Sequence, residues 1–346
     1  MRSIKACCAA FLFVIASAYS VSAFEMQEGR IKLVVNESSG RFSLYYLVDL
    51  QKNKYEALFV DQDPRTSFLA LLVDDRPQRL GETSAFRVRT EKTDASARIS
   101  FESSGLVVRQ DFTFFKNAGS PLSDGVRIEI SVENTSEREL SVALRFLMDT
   151  KLGEKNPEPF STDLRSIGAE TLIVPAKDQD GWWYSKDAVL GIMGNIAVKD
   201  VRAPDSIQFA NWKRMNDAPW KTEPSPGRNF NLLPYSIGDS ALCYYFDPAP
   251  LARGAVRKET ILLAVASNAG FTTPSAEKTD DLSRMLQSSV TSANAPELML
   301  RTDLITVRDL LDKVNALLAA GGAVGDEELA ALETVVARLK ERSGIK

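Results

Sequence analysis

No histidine occurs anywhere in the 346 residues. That absence removes every Ser-His-Asp or Cys-His arrangement, every zinc site built on imidazole, and the usual proton carrier near pH 7. Any catalysis by this chain has to use carboxylates, Lys, Tyr or a bare hydroxyl. Cysteine is nearly absent too. Cys7 and Cys8 lie in the N-terminal leader, so Cys243 stands alone and no internal disulfide can form. It sits in the apolar stretch SALCYYF and is expected to be a buried structural thiol. Beyond the leader, no apolar run reaches the ~18 residues of a spanning helix. No basic stripe offsets the formal charge of -4, which argues against a nucleic-acid partner. The P-loop and dinucleotide fingerprints are absent, and no cofactor or metal is expected.

The first 23 residues read as a secretory signal. Arg2 and Lys5 supply a basic start, Ala6 to Ala18 an apolar run, and Ser20 to Ala23 a small-x-small cleavage site. The leader takes two positive charges and no acid with it, so -4 becomes -6. A periplasmic or secreted location follows, for a mature chain with no transmembrane segment. About 320 residues are enough to bury a core without disulfides.

The clearest stretch is VRIEISVENTSERELSVALRFLMDTKLGE, residues 126–154. Val126, Ile128, Ile130 and Val132 alternate with polar residues, and Val142, Leu144, Phe146 and Met148 repeat the pattern after a polar turn. A period of two marks strands with one buried face. The two are expected to form an antiparallel hairpin. About fifteen such short strands follow one another from Arg30 to about Ala266, the spacing of a sandwich or barrel. Residues 24–268 are therefore expected to form one large antiparallel β-sandwich. Glu154–Ser166 and Asn216–Leu233 are rich in proline and expected to be loops.

Past Asn268 the period changes. Residues 269–300 read as a linker with a short helical pattern at Ala276–Val290. Residues 301–346 read as a helical hairpin. Leu304, Val307, Leu311, Val314 and Leu318 fall at spacings of 3, 4, 3 and 4, and Leu329, Leu332, Val336 and Leu339 continue after Gly321-Gly322. Leu310, Leu317 and Val335 widen the stripes beyond a two-helix seam. These twelve side chains are candidates for docking on the sandwich or on an envelope protein partner.

Two constellations bear on ligands. All four tryptophans, Trp182, Trp183, Trp212 and Trp220, lie within one short region, and indoles stack on sugar faces. Trp182 and Trp183 are adjacent on a strand, so one must face the core. Asp149, Glu154, Glu158 and Asp163 gather after the central strands, and Asp149 with Glu154 is the candidate pair for glycan chemistry. Asp178-Gln-Asp180-Gly181 opens like a calcium loop but lacks the later Glu. Asn36-Glu-Ser and Asn134-Thr-Ser match a glycosylation acceptor, which matters only in a eukaryotic secretory pathway.

Segment 126–154, with DSIQFANW (205–212) and DSALCYYFDPAPLARGAVRKETILLAV (239–265), resembles a family of secreted bacterial β-sandwich proteins. The resemblance rests on Asp149-Thr150-Lys151-Leu152-Gly153, Phe209–Trp212 and Leu251-Ala252-Arg253-Gly254, where Arg253 replaces the usual proline. It covers about residues 30–268. It implies a galactose-mutarotase-like supersandwich, whose members often handle carbohydrates. Mutarotases use histidines with a glutamate, so their activity does not carry over to a chain without histidine. The first expectation is a non-catalytic secreted or periplasmic protein, structural or partner-binding, with the C-terminal helices as docking element. The alternative is a carbohydrate-binding sandwich. A carboxylate-dependent glycan-active enzyme comes last.

Overall fold

The computed structural model describes residues 23–271, apart from 50–51, 60–64, 118–119, 121 and 268–269. In chain order the strands are β1 (Ala23–Glu28), β2 (Ile31–Asn36), β3 (Phe42–Asp49), β4 (Lys54–Ala57), β5 (Phe68–Val73), β6 (Arg76–Arg79), β7 (Arg87–Lys92), β8 (Ser96–Glu102), β9 (Leu106–Phe115), β10 (Gly125–Asn134) and β11 (Leu140–Asp149). There follow β12 (Phe160–Thr162), β13 (Ser166–Ile167), β14 (Thr171–Ile173), β15 (Trp182–Lys186), β16 (Gly191–Asn195), β17 (Ser206–Asn211), the short helix α1 (Trp212–Asp217), β18 (Ser240–Leu251) and β19 (Val256–Val265).

All pairings are antiparallel. Nine strands run β13-β12-β15-β16-β19-β10-β9-β8-β7, six run β14-β17-β18-β11-β5-β6, and four run β1-β2-β3-β4. Val126, Ile128, Ile130 and Val132 of β10 share one core with Val142, Leu144, Phe146 and Met148 of β11, so the two larger sheets lie face to face. Phe42 of β3 ties in the four-stranded sheet. Its ring lies 4.8 Å from Phe112 on β9 and 5.9 Å from Phe146 on β11. The expected β-sandwich is therefore present.

The expected central hairpin is not. β10 pairs with β9 and β19, whereas β11 pairs with β18 and β5, so residues 135–139 cross from one sheet to the other. Alternation specifies which residues are buried and says nothing of which strand lies alongside. Both arrangements bury the same side chains. The link from β18 to β19 crosses in the same way, and Asn134 fastens the two crossings together. Its amide donates to the carbonyls of Arg138 and Leu251, both at 2.8 Å, and its own carbonyl accepts from Gly254 N–H at 2.8 Å. Asn134 is fully buried, which removes it as a glycosylation acceptor.

One further expectation changes, and one element is new. Phe160–Thr162, inside the expected loop at Glu154–Ser166, forms a strand against β15. At three residues β12 is too short for a visible period. Helix α1 was equally invisible at six residues. It matters because it covers the outer face of the six-stranded sheet. There Met215 packs with Leu147, Cys243 and Tyr245 in a second apolar cluster, so β11 and β18 are buried on both faces. Cys243 is fully buried, as expected, and burial pushes its thiol up to about 12.

Apart from Ala23, Gly270 and Phe271, the leader, the linker at 269–300 and the helical hairpin at 301–346 lie outside the described residues, and with them every docking candidate from Leu304 to Leu339. Among the described residues no helix is long and apolar enough to cross a membrane.

Candidate functional site

At the end of the six-stranded sheet away from Asn134, three acidic side chains meet. Asp149 closes β11, and its register partner on β18 is Ala241. The loop entering β18 therefore brings Asp239 beside it. Alternation turns Asp149 to the outer face, with Leu147 and Arg145. Glu154 returns through the turn Asp149-Thr150-Lys151-Leu152-Gly153. Gly153 has a φ of 81°, and a Cβ there would run into the Pro159 carbonyl. Carboxylate oxygens of Asp149, Glu154 and Asp239 all lie within 4.8 Å of one another.

The surroundings hold this geometry. The Asn211 side-chain amide donates to the carbonyls of Phe230 (2.9 Å) and Asp239 (3.1 Å) and to Ser236 Oγ (2.9 Å), while its oxygen accepts from Arg214 N–H to cap α1. Trp212 N–H donates to the Asp239 carbonyl at 2.9 Å, and its indole N–H to the Thr66 carbonyl at 2.8 Å. Asp149 N–H donates to Ser67 Oγ at 2.9 Å. The segments DTKLG, FANW and DSALCYYF thus converge on one place.

The electrostatics are those of crowded acids. Burial pushes the Asp149 carboxyl up to about 6, and Asp239 adds repulsion; the Thr66 hydroxyl opposes the rise without closing a hydrogen bond. Burial lifts Glu154 to about 7, and both aspartates push the same way. Asp239 is raised by burial, with the Ser236 hydroxyl opposing. Asp149 is 5 % exposed and its Oδ1 accepts no hydrogen bond among the described residues. Glu154 and Asp239 are half-buried, so the cluster opens to solvent through them.

Glu158 and Asp163, expected in the same group, stand apart and exposed. Asp163 accepts from Gly181 N–H at 2.9 Å. Asp180 is buried against Arg165, whose Nη2 donates to it at 2.7 Å, and Asp178 caps Val174 N–H at 2.7 Å. Their carboxylates are thus committed to the protein rather than to a calcium loop. Of the adjacent tryptophans, Trp183 is the inner one. It is fully buried against Gly194, where a Cβ would come within 2.5 Å of its ring nitrogen, so Trp183 offers no face to a sugar. Trp182 is half-buried over Gly270. Trp220 packs edge-on to Tyr245, with the Arg145 guanidinium 5.2 Å from its ring. Trp212 alone of the four touches the acidic cluster.

Two residues were missed. Asp239 lies far along the chain from its partners, and nothing local marks it. Tyr235 is the other, with Leu233 and Ile237 beside it. They are 70 %, 72 % and 80 % exposed, on the loop that ends at Asp239. A run of large apolar residues ahead of a strand, broken by Pro234, Ser236 and Gly238, was the available signal. Elsewhere, a cavity lined by Phe42, Phe59 and Phe146 holds about 20 Å³, room for one water and not for a sugar.

No protein-family model matches the sequence, and no curated protein matches it. Among solved structures, the chain is similar to a galactose mutarotase-like protein from Lactobacillus casei ATCC 334, at 9% identity and a TM-score of 0.41, covering 71% of this chain and 100% of that one. It is also similar to an aldose epimerase homologue from C. elegans, at 10% identity and a TM-score of 0.43, covering 71% and 98%. A TPR-domain containing protein from Parabacteroides distasonis ATCC 8503 shares 8% identity at a TM-score of 0.44, covering 93% of this chain and 69% of that one.

Proposed function

We propose that this is a secreted or periplasmic, non-catalytic binding protein whose sandwich recognises carbohydrate at the Asp149–Glu154–Asp239 end. The observation that carries the reading is the Tyr235 loop. It presents an exposed aromatic ring four residues before Asp239, with the Lys213 ammonium 5.7 Å from its centroid, and aromatic faces with charged groups near them in the chain are what stack and hydrogen-bond a sugar ring. Hydrolysis by Asp149 with Glu154 is disfavoured by burial, because both members of a glycosidic pair must face the scissile bond and Asp149 is enclosed. A glycan array with the full chain should give binding that Tyr235→Ala and Asp239→Asn reduce at least about tenfold with the fold intact. No binding across soluble glycans and peptidoglycan fragments would sink the reading.

Residues 301–346 remain the proposed docking element for an envelope protein. Chains spanning 24–346 and 24–274 should differ in the envelope proteins they capture. Equal capture by both would remove that role.

A further inference from the structure

The geometry points to Asp149, Glu154 and Asp239 as the protein ligands of a bound divalent cation, Ca²⁺. The inference concerns the same acidic end as the sugar proposed above but does not rest on that reading, and its test contains no sugar. Three carboxylates whose oxygens lie within 4.8 Å have no Arg or Lys ion-paired to them among the described residues. Clustering of acids alone would carry little. The second observation is Asp149 itself, 5 % exposed, with Oδ1 closed off from water and accepting no hydrogen bond among the described residues. A buried carboxylate oxygen without a donor is costly, and a cation beside it removes that cost. Two more buried oxygens without partners among the described residues, Thr150 Oγ1 and Ser240 Oγ, flank the same strand ends. With the equally unpartnered Thr66 hydroxyl, these groups could donate or ligate through oxygen, so what the site lacks is positive charge.

The donor chemistry selects the ion. Every side-chain ligand is oxygen, the chain has no histidine, and Cys243 is a buried thiol, which favours a hard cation over zinc or copper. Ca²⁺, at about 2.3–2.6 Å from each oxygen, spans ligands up to about 5 Å apart, whereas Mg²⁺ at about 2.0–2.1 Å spans only about 4.2 Å. Oxygens within 4.8 Å of one another fall inside the Ca²⁺ span. Half-buried Glu154 and Asp239 leave one side for water to complete the shell.

The test is calorimetric titration of the chelator-treated full chain with CaCl₂ and MgCl₂, with thermal unfolding in parallel. One Ca²⁺ per chain should bind with Kd of about 1 mM or tighter and raise the Tm, and Mg²⁺ should bind at least about tenfold more weakly. Glu154→Gln and Asp239→Asn, on half-buried positions that tolerate the change, should each weaken Ca²⁺ at least about tenfold. Asp163→Asn should bind as the natural chain does. Absence of heat and of a Tm shift, or binding untouched by both Glu154→Gln and Asp239→Asn, would overturn the site. Equal affinity for Mg²⁺ would overturn the choice of ion.

Discussion

The indole N–H of Trp183 donates to the hydroxyl of Tyr244 at 2.6 Å, and that hydroxyl donates on to the Asn195 carbonyl at 2.8 Å. Trp183 belongs to the nine-stranded sheet and Tyr244 to the six-stranded sheet, so one fully buried hydroxyl joins the two layers. Tyr244→Phe keeps the ring and leaves a buried donor and a buried acceptor unpaired. The expected loss is about 2–3 kcal/mol, read as a lowered urea midpoint at unchanged m. A loss below about 0.5 kcal/mol would mean that water replaces the hydroxyl.

Asn134 should be the most sensitive polar residue at the opposite end. Asn134→Ala releases the carbonyls of Arg138 and Leu251 together and frees both sheet crossings. Destabilisation of about 2–4 kcal/mol is expected. Asn134→Asp should fare no better, because a carboxylate cannot donate to either carbonyl.

Arg145 sits 3 % exposed on the outer face of β11, donating to the Trp220 carbonyl at 2.5 Å and lying over the rings of Phe68 and Trp220. Its fork and its flat face are both in use, so Arg145→Lys is not conservative. A loss of about 1–3 kcal/mol is expected, with faster proteolysis in the 212–233 segment that Arg145 pins. An unchanged cleavage rate would show that α1 is held without it.

Asp124 supplies a pH dependence away from the acidic cluster. Burial pushes its carboxyl from 3.8 up to about 6, against the Asn117 N–H, the Ser120 hydroxyl and Arg30, which pull it down. Between those values the folded chain holds a proton that the unfolded chain has released. The contribution to stability is complete below about pH 4 and lost as pH rises through about 6, a swing of about 3 kcal/mol. Asp124→Asn should remove that slope, so chemical unfolding of the two proteins should diverge as pH is raised from about 4 to 7. Parallel curves would refute the assignment.

Much of the fold was legible. Val126, Ile128, Ile130 and Val132 all lie on the buried face of β10 as expected, because a long alternating run leaves little room for error. The pairing of β10 and β11 was not, since one buried face serves a hairpin and a cross-sheet link equally well. At the site, Asp149 and Glu154 were visible because one short turn joins them. Asp239 was not, because only the register of β18 on β11 brings it there. The rule that adjacent strand residues face opposite ways correctly required one of Trp182 and Trp183 to be inside. It could not say which, and the small partner that decides it, Gly194, lies on the next strand.

β19, the last strand among the described residues, occupies the middle of the nine-stranded sheet, between β16 and β10. Until it is made, that sheet exists only as two separate parts, each with an open apolar edge. Pairing across more than a hundred residues then comes last and slowly. A nascent chain stalled before Val256 would carry those edges into the cell, where another strand of the same kind is the readiest partner. The order of synthesis thus makes this sandwich dependent on being kept apart from its own copies until residue 265 is free.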